Sequence, residues 1–202
     1  MPRVPVVPLV AHDDGRVVLM GVRSWWSGGR DPDRAPVPVG TVGGRVAVGL
    51  LATARAVRER VDPFVPLLAW QGGDGGSLLV MLPHDPDDPG GLALAVRAAL
   101  DVLEAERGRA VWFAVVVDAY GRAAGPADGV AAGDLGDLFR GGDPGVVEQL
   151  MMLMARGGAS EVWRQVYRWT PVDGWEWDDG VERIVPVLPD MDLLDLLVER
   201  SR

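Results

Sequence analysis

The residues best suited to chemistry are two histidines set among acids, in His12-Asp13-Asp14 and His84-Asp85-Pro86-Asp87-Asp88. Imidazole beside carboxylates can hold a divalent cation, or pair a general base with the acid that orients it. His12, Asp14, His84, Asp85 and Asp87 are therefore the candidates for a metal-dependent hydrolase. Neither cluster has a recognised ligand spacing. Asp85-x-Asp87 with Gly90 has the start of a calcium loop, but Pro86 and Pro89 interrupt it and Val96 stands where the bidentate Glu belongs. Turn and cap chemistry accounts for the same acids, with Asp13-Asp14-Gly15 in a turn and Asp88 as a helix N-cap. No metal site, cofactor or catalytic set is assigned on this basis.

Composition removes further classes of chemistry. The chain has 202 residues, 20 basic side chains that are all Arg, and no Cys. Without Lys there is no internal Schiff base and no Lys-bearing phosphate loop. Without Cys there is no thiol nucleophile, disulfide or thiolate metal site. Lys and Asn are both missing and Ile184 is the only Ile, a pattern that G+C-rich coding produces with no functional pressure. The serines lack a Gly-x-Ser-x-Gly elbow. Gly40/Gly43/Gly44 and Gly72-Gly73-Asp74-Gly75-Gly76 match no dinucleotide fingerprint and read as turns.

Aromatic and acidic residues point instead to binding. Eight Trp accompany three Phe and two Tyr. Trp25-Trp26 lie in a polar loop, and Trp175 and Trp177 alternate with acids after Trp169. Large amphipathic rings in such settings anchor interfaces or cap a sheet face. Net charge is −9, and residues 171–202 hold nine acids against three Arg. Phosphate is repelled by such a tail, which disfavours direct nucleic-acid binding. No apolar run reaches the length of a membrane span, and the proline-broken N-terminal stretch is not a secretory signal, so the cytoplasm is the expected location.

These residues need elements to position them. Val4–Val10 and Arg16–Arg23 read as a hairpin about an Asp-Gly turn. Val46, Leu50, Ala54, Val57 and Val61 recur at helical spacing and predict a helix over 44–61, stopped by Asp62-Pro63. Phe64–Trp70 and Ser77–Leu82 read as a second hairpin, with Pro66 placing its first strand at an edge. Leu92, Val96, Ala99, Leu100 and Leu103 predict a helix over 89–107, and unbroken apolar Ala110–Val117 predicts a strand covered on both faces. Leu150–Ala155 and Glu161–Trp169 form a third hairpin, in which Trp163, Gln165, Tyr167 and Trp169 share a face. Asp190–Glu199 predicts a short acidic helix with Leu193, Leu194 and Leu197 in its apolar stripe.

The expected fold is α+β: a mixed, mainly antiparallel sheet of three hairpins and a central strand, with two main helices. Residues 1–185 are read as the globular domain and 186–202 as a tail helix set off by Pro186 and Pro189. The expected function is non-enzymatic binding of another protein or of further copies of the chain. Trp25, Trp26, Trp175, Trp177, Leu193, Leu194 and Leu197 are the expected contact residues. The alternatives are the metal-dependent hydrolase and an acidic mimic of nucleic acid. Docking of the tail in trans implies that deleting 190–202 leaves the melting temperature nearly unchanged.

Overall fold

The computed structural model describes residues 19–20, 42–85, 88, 90–122, 146–184 and 192–202. The hairpin expected at residues 4–23 lies outside them except for Leu19–Met20, which forms a short strand, β1. There follow α1 (Val42–Arg58), β2 (Leu67–Gly72), β3 (Ser77–Met81), α2 (Gly91–Arg107) and β4 (Ala110–Arg122). The chain continues with β5 (Val146–Arg156), β6 (Ala159–Thr170), β7 (Gly174–Trp177), β8 (Glu182–Ile184) and α3 (Asp192–Arg200).

The strands form one α+β sheet in the order β1-β3-β2-β4-β5-β6-β7, with β8 also pairing to β6. Strands β7 and β8 run end to end along the outer edge of β6, opposite Tyr167–Thr170 and Val162–Arg164 respectively. The sheet was expected to be mixed and mainly antiparallel, and every described pairing is antiparallel. The reason lies in the connections: β2–β3 and β5–β6 are hairpins, and α2 returns the chain to β4, which pairs with β2 antiparallel. The β5–β6 turn needs only Gly157 and Gly158, whose φ values of 55° and 79° suit the tight turn that matches strand twist. Pro66 does not mark an edge, because β2 lies between β3 and β4. The proline precedes the first strand residue, where no ladder donor is lost, and its carbonyl accepts the N–H of Leu82 at 2.8 Å.

Side-chain alternation gives the sheet two apolar faces, each with its own helices. On one face Leu67, Ala69, Trp112, Ala114, Val116, Leu150, Met152 and Met154 pack against Val46, Ala47, Leu50, Leu51 and Ala54 of α1. On the other, Leu68, Trp70, Phe113, Val115, Leu153 and Ala155 meet Val96, Ala99, Leu100 and Leu103 of α2. The two helices start within two residues of expectation. Asp88 is not the N-cap of α2. Its Oδ1 accepts the N–H of Gly90 at 3.0 Å in a turn just ahead, and Gly90 takes the cap position without a side-chain bond.

Helix α3 joins the second core. Leu194, Leu196 and Leu197 are buried there beside α2 and the sheet. Arg200 Nη1 reaches Glu104 at 3.2 Å and Nη2 pairs with Asp101, while the Ser201 hydroxyl oxygen accepts the N–H of Gly158 at 2.9 Å. The stripe too short to stand alone thus docks within its own chain, which reverses the expected effect of truncation. Each fully buried Leu contributes about 1.5–3 kcal/mol. Deleting 190–202 should lower the melting temperature by about 6 °C or more, as read by circular dichroism; an unchanged melt would place the stripe outside the core.

Candidate functional site

Alternation on β4, β5 and β6 carries the α1-facing side of the sheet beyond the last turn of the helix, and there the apolar surface gives way to polar groups. Asp118 follows Val116 on β4, Glu148 precedes Leu150 on β5, and Tyr167 lies opposite Glu148 on β6. Trp177 and Trp175 of β7 pair with Tyr167 and Trp169. Arg55 and Arg58, in the last turn of α1, reach over this surface.

Arg58 is the centre of the cluster. Its Nε lies 2.9 Å from Asp118 Oδ2 and 3.3 Å from the Tyr167 hydroxyl, and its Nη1 lies 3.1 Å from Asp62. Tyr167 in turn donates its hydroxyl to Asp118 Oδ1 at 2.7 Å. The guanidinium also covers the Trp175 ring at 4.8 Å, as Arg55 covers Trp177 at 5.0 Å. Tyr167, Trp175 and Trp177 are in ring contact with one another, and Trp169 meets Trp175 at 6.4 Å. Such ring and cation–ring contacts add roughly 0.5–1.5 kcal/mol each beyond their burial.

Burial sets the protonation of the cluster. It pushes the Asp118 carboxyl above its ordinary value, against the Tyr167 hydrogen bond and the Arg58 charge that lower it. Glu148 is raised as well, first by burial and then by Asp118, against the Arg58 charge that lowers it. Burial also raises the Tyr167 hydroxyl, which therefore stays protonated and donating. For Arg58 burial acts to lower the pKa, but Tyr167, Asp118 and Asp62 outweigh it and the net shift is upward. The arrangement keeps Arg58 charged and locks it between a helix and two strands.

At the rim, a turn presents apolar surface. Asp173 N–H donates to Thr170 Oγ1 at 2.9 Å, that hydroxyl donates to Asp173 Oδ2 at 3.1 Å, and Gly174 closes the turn at φ 74°. This braced tip holds Val172 at 89% exposure, and Trp169 beside it is 50% exposed.

Of the expected contact residues, Trp175 and Trp177 lie in this cluster, half-buried beneath the two arginines. Leu194 and Leu197 are occupied within the chain, and Leu193 packs beside them. Trp25 and Trp26 lie outside the described residues, as do His12, Asp14 and Asp87. His84 Nδ1 lies 3.3 Å from the carbonyl of Leu82, Asp85 is exposed, and no group of potential metal ligands occurs among the described residues. Arg58, Asp118, Glu148 and Tyr167 were not singled out by sequence; Asp118 had one signal, as the first charge after an apolar strand.

A second recess, of about 170 Å³, opens at the N-terminus of α1 between Val42, Gly43, Met154, Arg156, Ala159 and Glu161. The chain supplies its own anion there. The Glu161 carboxylate comes so close that it leaves no room for a Cβ on Gly43, and it accepts the Trp163 indole N–H at 3.1 Å.

Two outcomes are expected of the cluster. Tyr167→Phe removes a donor from a partly buried carboxylate and should cost about 1–3 kcal/mol in denaturant titration. For Glu148 the folded-state pKa is raised, so the native state holds a proton that the unfolded chain has released, and stability falls as pH rises through that window. Glu148→Gln should therefore raise the melting temperature at pH 7, with the difference shrinking as the pH falls into the carboxylate range. An equal difference at both ends would mean that Glu148 is not strained by burial.

Comparison with protein-family models, curated proteins and solved structures finds no match, so the chemistry of this surface is read from its own residues.

Proposed function

We propose that the protein is a non-enzymatic binding module of the cytoplasm that recognises another protein through the outer end of the α1-facing sheet surface. The observation that carries this reading is Val172, exposed on a braced turn, and Trp169, exposed at the adjoining end of β6, beside a row of rings already fixed by Arg55 and Arg58. A large ring held in place before a partner arrives loses little entropy on binding, which is what makes Trp an effective anchor. Exposed apolar surface rimmed by polar groups is the usual form of an interaction site. The partly buried Asp118 supports it in another way: it is committed to Arg58 and Tyr167, a bracing arrangement rather than a free acid or base.

The test is selection of peptides from a random display library on the wild-type protein, followed by affinity measurement on a Trp169→Ala, Val172→Ser double variant. Peptides recovered on the wild type should bind the variant about tenfold or more weakly, while its melting temperature stays close to that of the parent. Failure to recover any peptide that depends on these two side chains would remove the reading.

A further inference from the structure

The row of rings on β6 and β7 repeats a single contact. Trp177 lies under the guanidinium of Arg55, and Trp175, the next ring, lies under that of Arg58. Trp169, third in the row, reaches past the end of α1, and among the described residues no cation lies over it. It is also the exposed member of the three. The helix thus supplies a cation for each ring within its reach and none for the ring beyond it.

Charge around the third ring has the same incompleteness. Glu148 lies opposite Tyr167 in the β5–β6 register, so Trp169, two residues further along β6 on the same face, is its diagonal neighbour. Arg58 is shared between Asp118 and Asp62, and Arg55 pairs with Glu59 at 3.0 Å. Four carboxylates (Glu59, Asp62, Asp118 and Glu148) therefore face two guanidinium groups. Glu148 is the one for which no ion pair occurs among the described residues. A cation placed over Trp169 gains the ring face and this carboxylate together, a pairing stronger than either contact in water.

The geometry points to a site for an arginine side chain of a partner protein, its guanidinium stacked on Trp169 and paired with Glu148. The apolar Val172 at the neighbouring turn takes the residue that follows or precedes that arginine. The net charge of −9 favours approach of a basic segment. This inference rests on the proposed protein-binding role and adds the chemistry of the bound residue.

The probes that separate the two are an oligo-arginine peptide and its oligo-citrulline counterpart, which keeps the planar group and removes the charge. Binding is read by calorimetry and tryptophan fluorescence on the wild type, Trp169→Ala and Glu148→Gln, with thermal melts confirming that each variant is folded. The expected result is that oligo-arginine binds the wild type at least tenfold more tightly than oligo-citrulline, and that each variant loses most of that difference. Equal binding of both peptides, lost in Trp169→Ala, would overturn the arginine site and leave the protein-binding role standing. Oligo-arginine binding that is the same in all three proteins would reduce the effect to general attraction by an acidic surface, and would overturn the site as well. No binding of either peptide also overturns it, and the library selection then decides the role independently.

Discussion

Strand β4 buries Phe113 and Val115 on one side and Trp112, Ala114 and Val116 on the other, so water has to be excluded from both faces of the sheet. An antiparallel sheet commonly leaves one face wet, with apolar and polar residues in alternation. Here the central strands are apolar at every position of that stretch, and the chain must provide cover twice. Helix α1 covers one side; α2, extended by α3, covers the other. The short α3 is recruited by this requirement, because its Leu stripe and the open sheet beside α2 are each unfavourable alone.

The same constraint explains where the polar cluster lies. Helix α1 ends at Arg58, but β4, β5 and β6 continue beyond it. Past that point the sheet face changes from Ala, Val, Leu and Met to Asp118, Glu148 and Tyr167. Arg58 spans the transition: its guanidinium lies over the Trp175 and Tyr167 rings and meets Asp118. Breaking such a partly buried pair leaves a carboxylate without compensation, whereas the intact pair gives orientation more than net stability. The cluster is thus best understood as the device that fixes the angle of the helix end and holds the aromatic row still.

Much of the framework was legible in the sequence. Helical spacing located α1 and α2, and the unbroken Ala110–Val117 run located the centre of the sheet. Alternation on β6 placed Trp163 and Tyr167 on one face, where they join the α1 core. What escaped was set by long-range contact. Asp118 and Tyr167 are 49 residues apart, and Arg58 and Tyr167 are 109 apart, so no local motif contains them. The partner of the tail was hidden for the same reason: a Leu stripe declares that it must be buried, and it does not declare against what. Strand β7 was missed because Trp alternates with an acid there, and β8 because two of its three residues, Glu182 and Arg183, are charged. An edge strand needs only one apolar side, and a few residues on it carry little signal.

The account depends on Trp169 and its neighbours forming a recognition surface that is already in place in the free protein. The most direct measurement is the nuclear magnetic resonance spectrum of the tryptophan indole N–H groups during titration with a peptide selected on the wild type. The account predicts that the indole signals of Trp169 and Trp175 move together and saturably, while those of Trp70 and Trp112, buried in the two cores, stay in place. Movement confined to Trp70 or Trp112, with Trp169 unaffected, would contradict it.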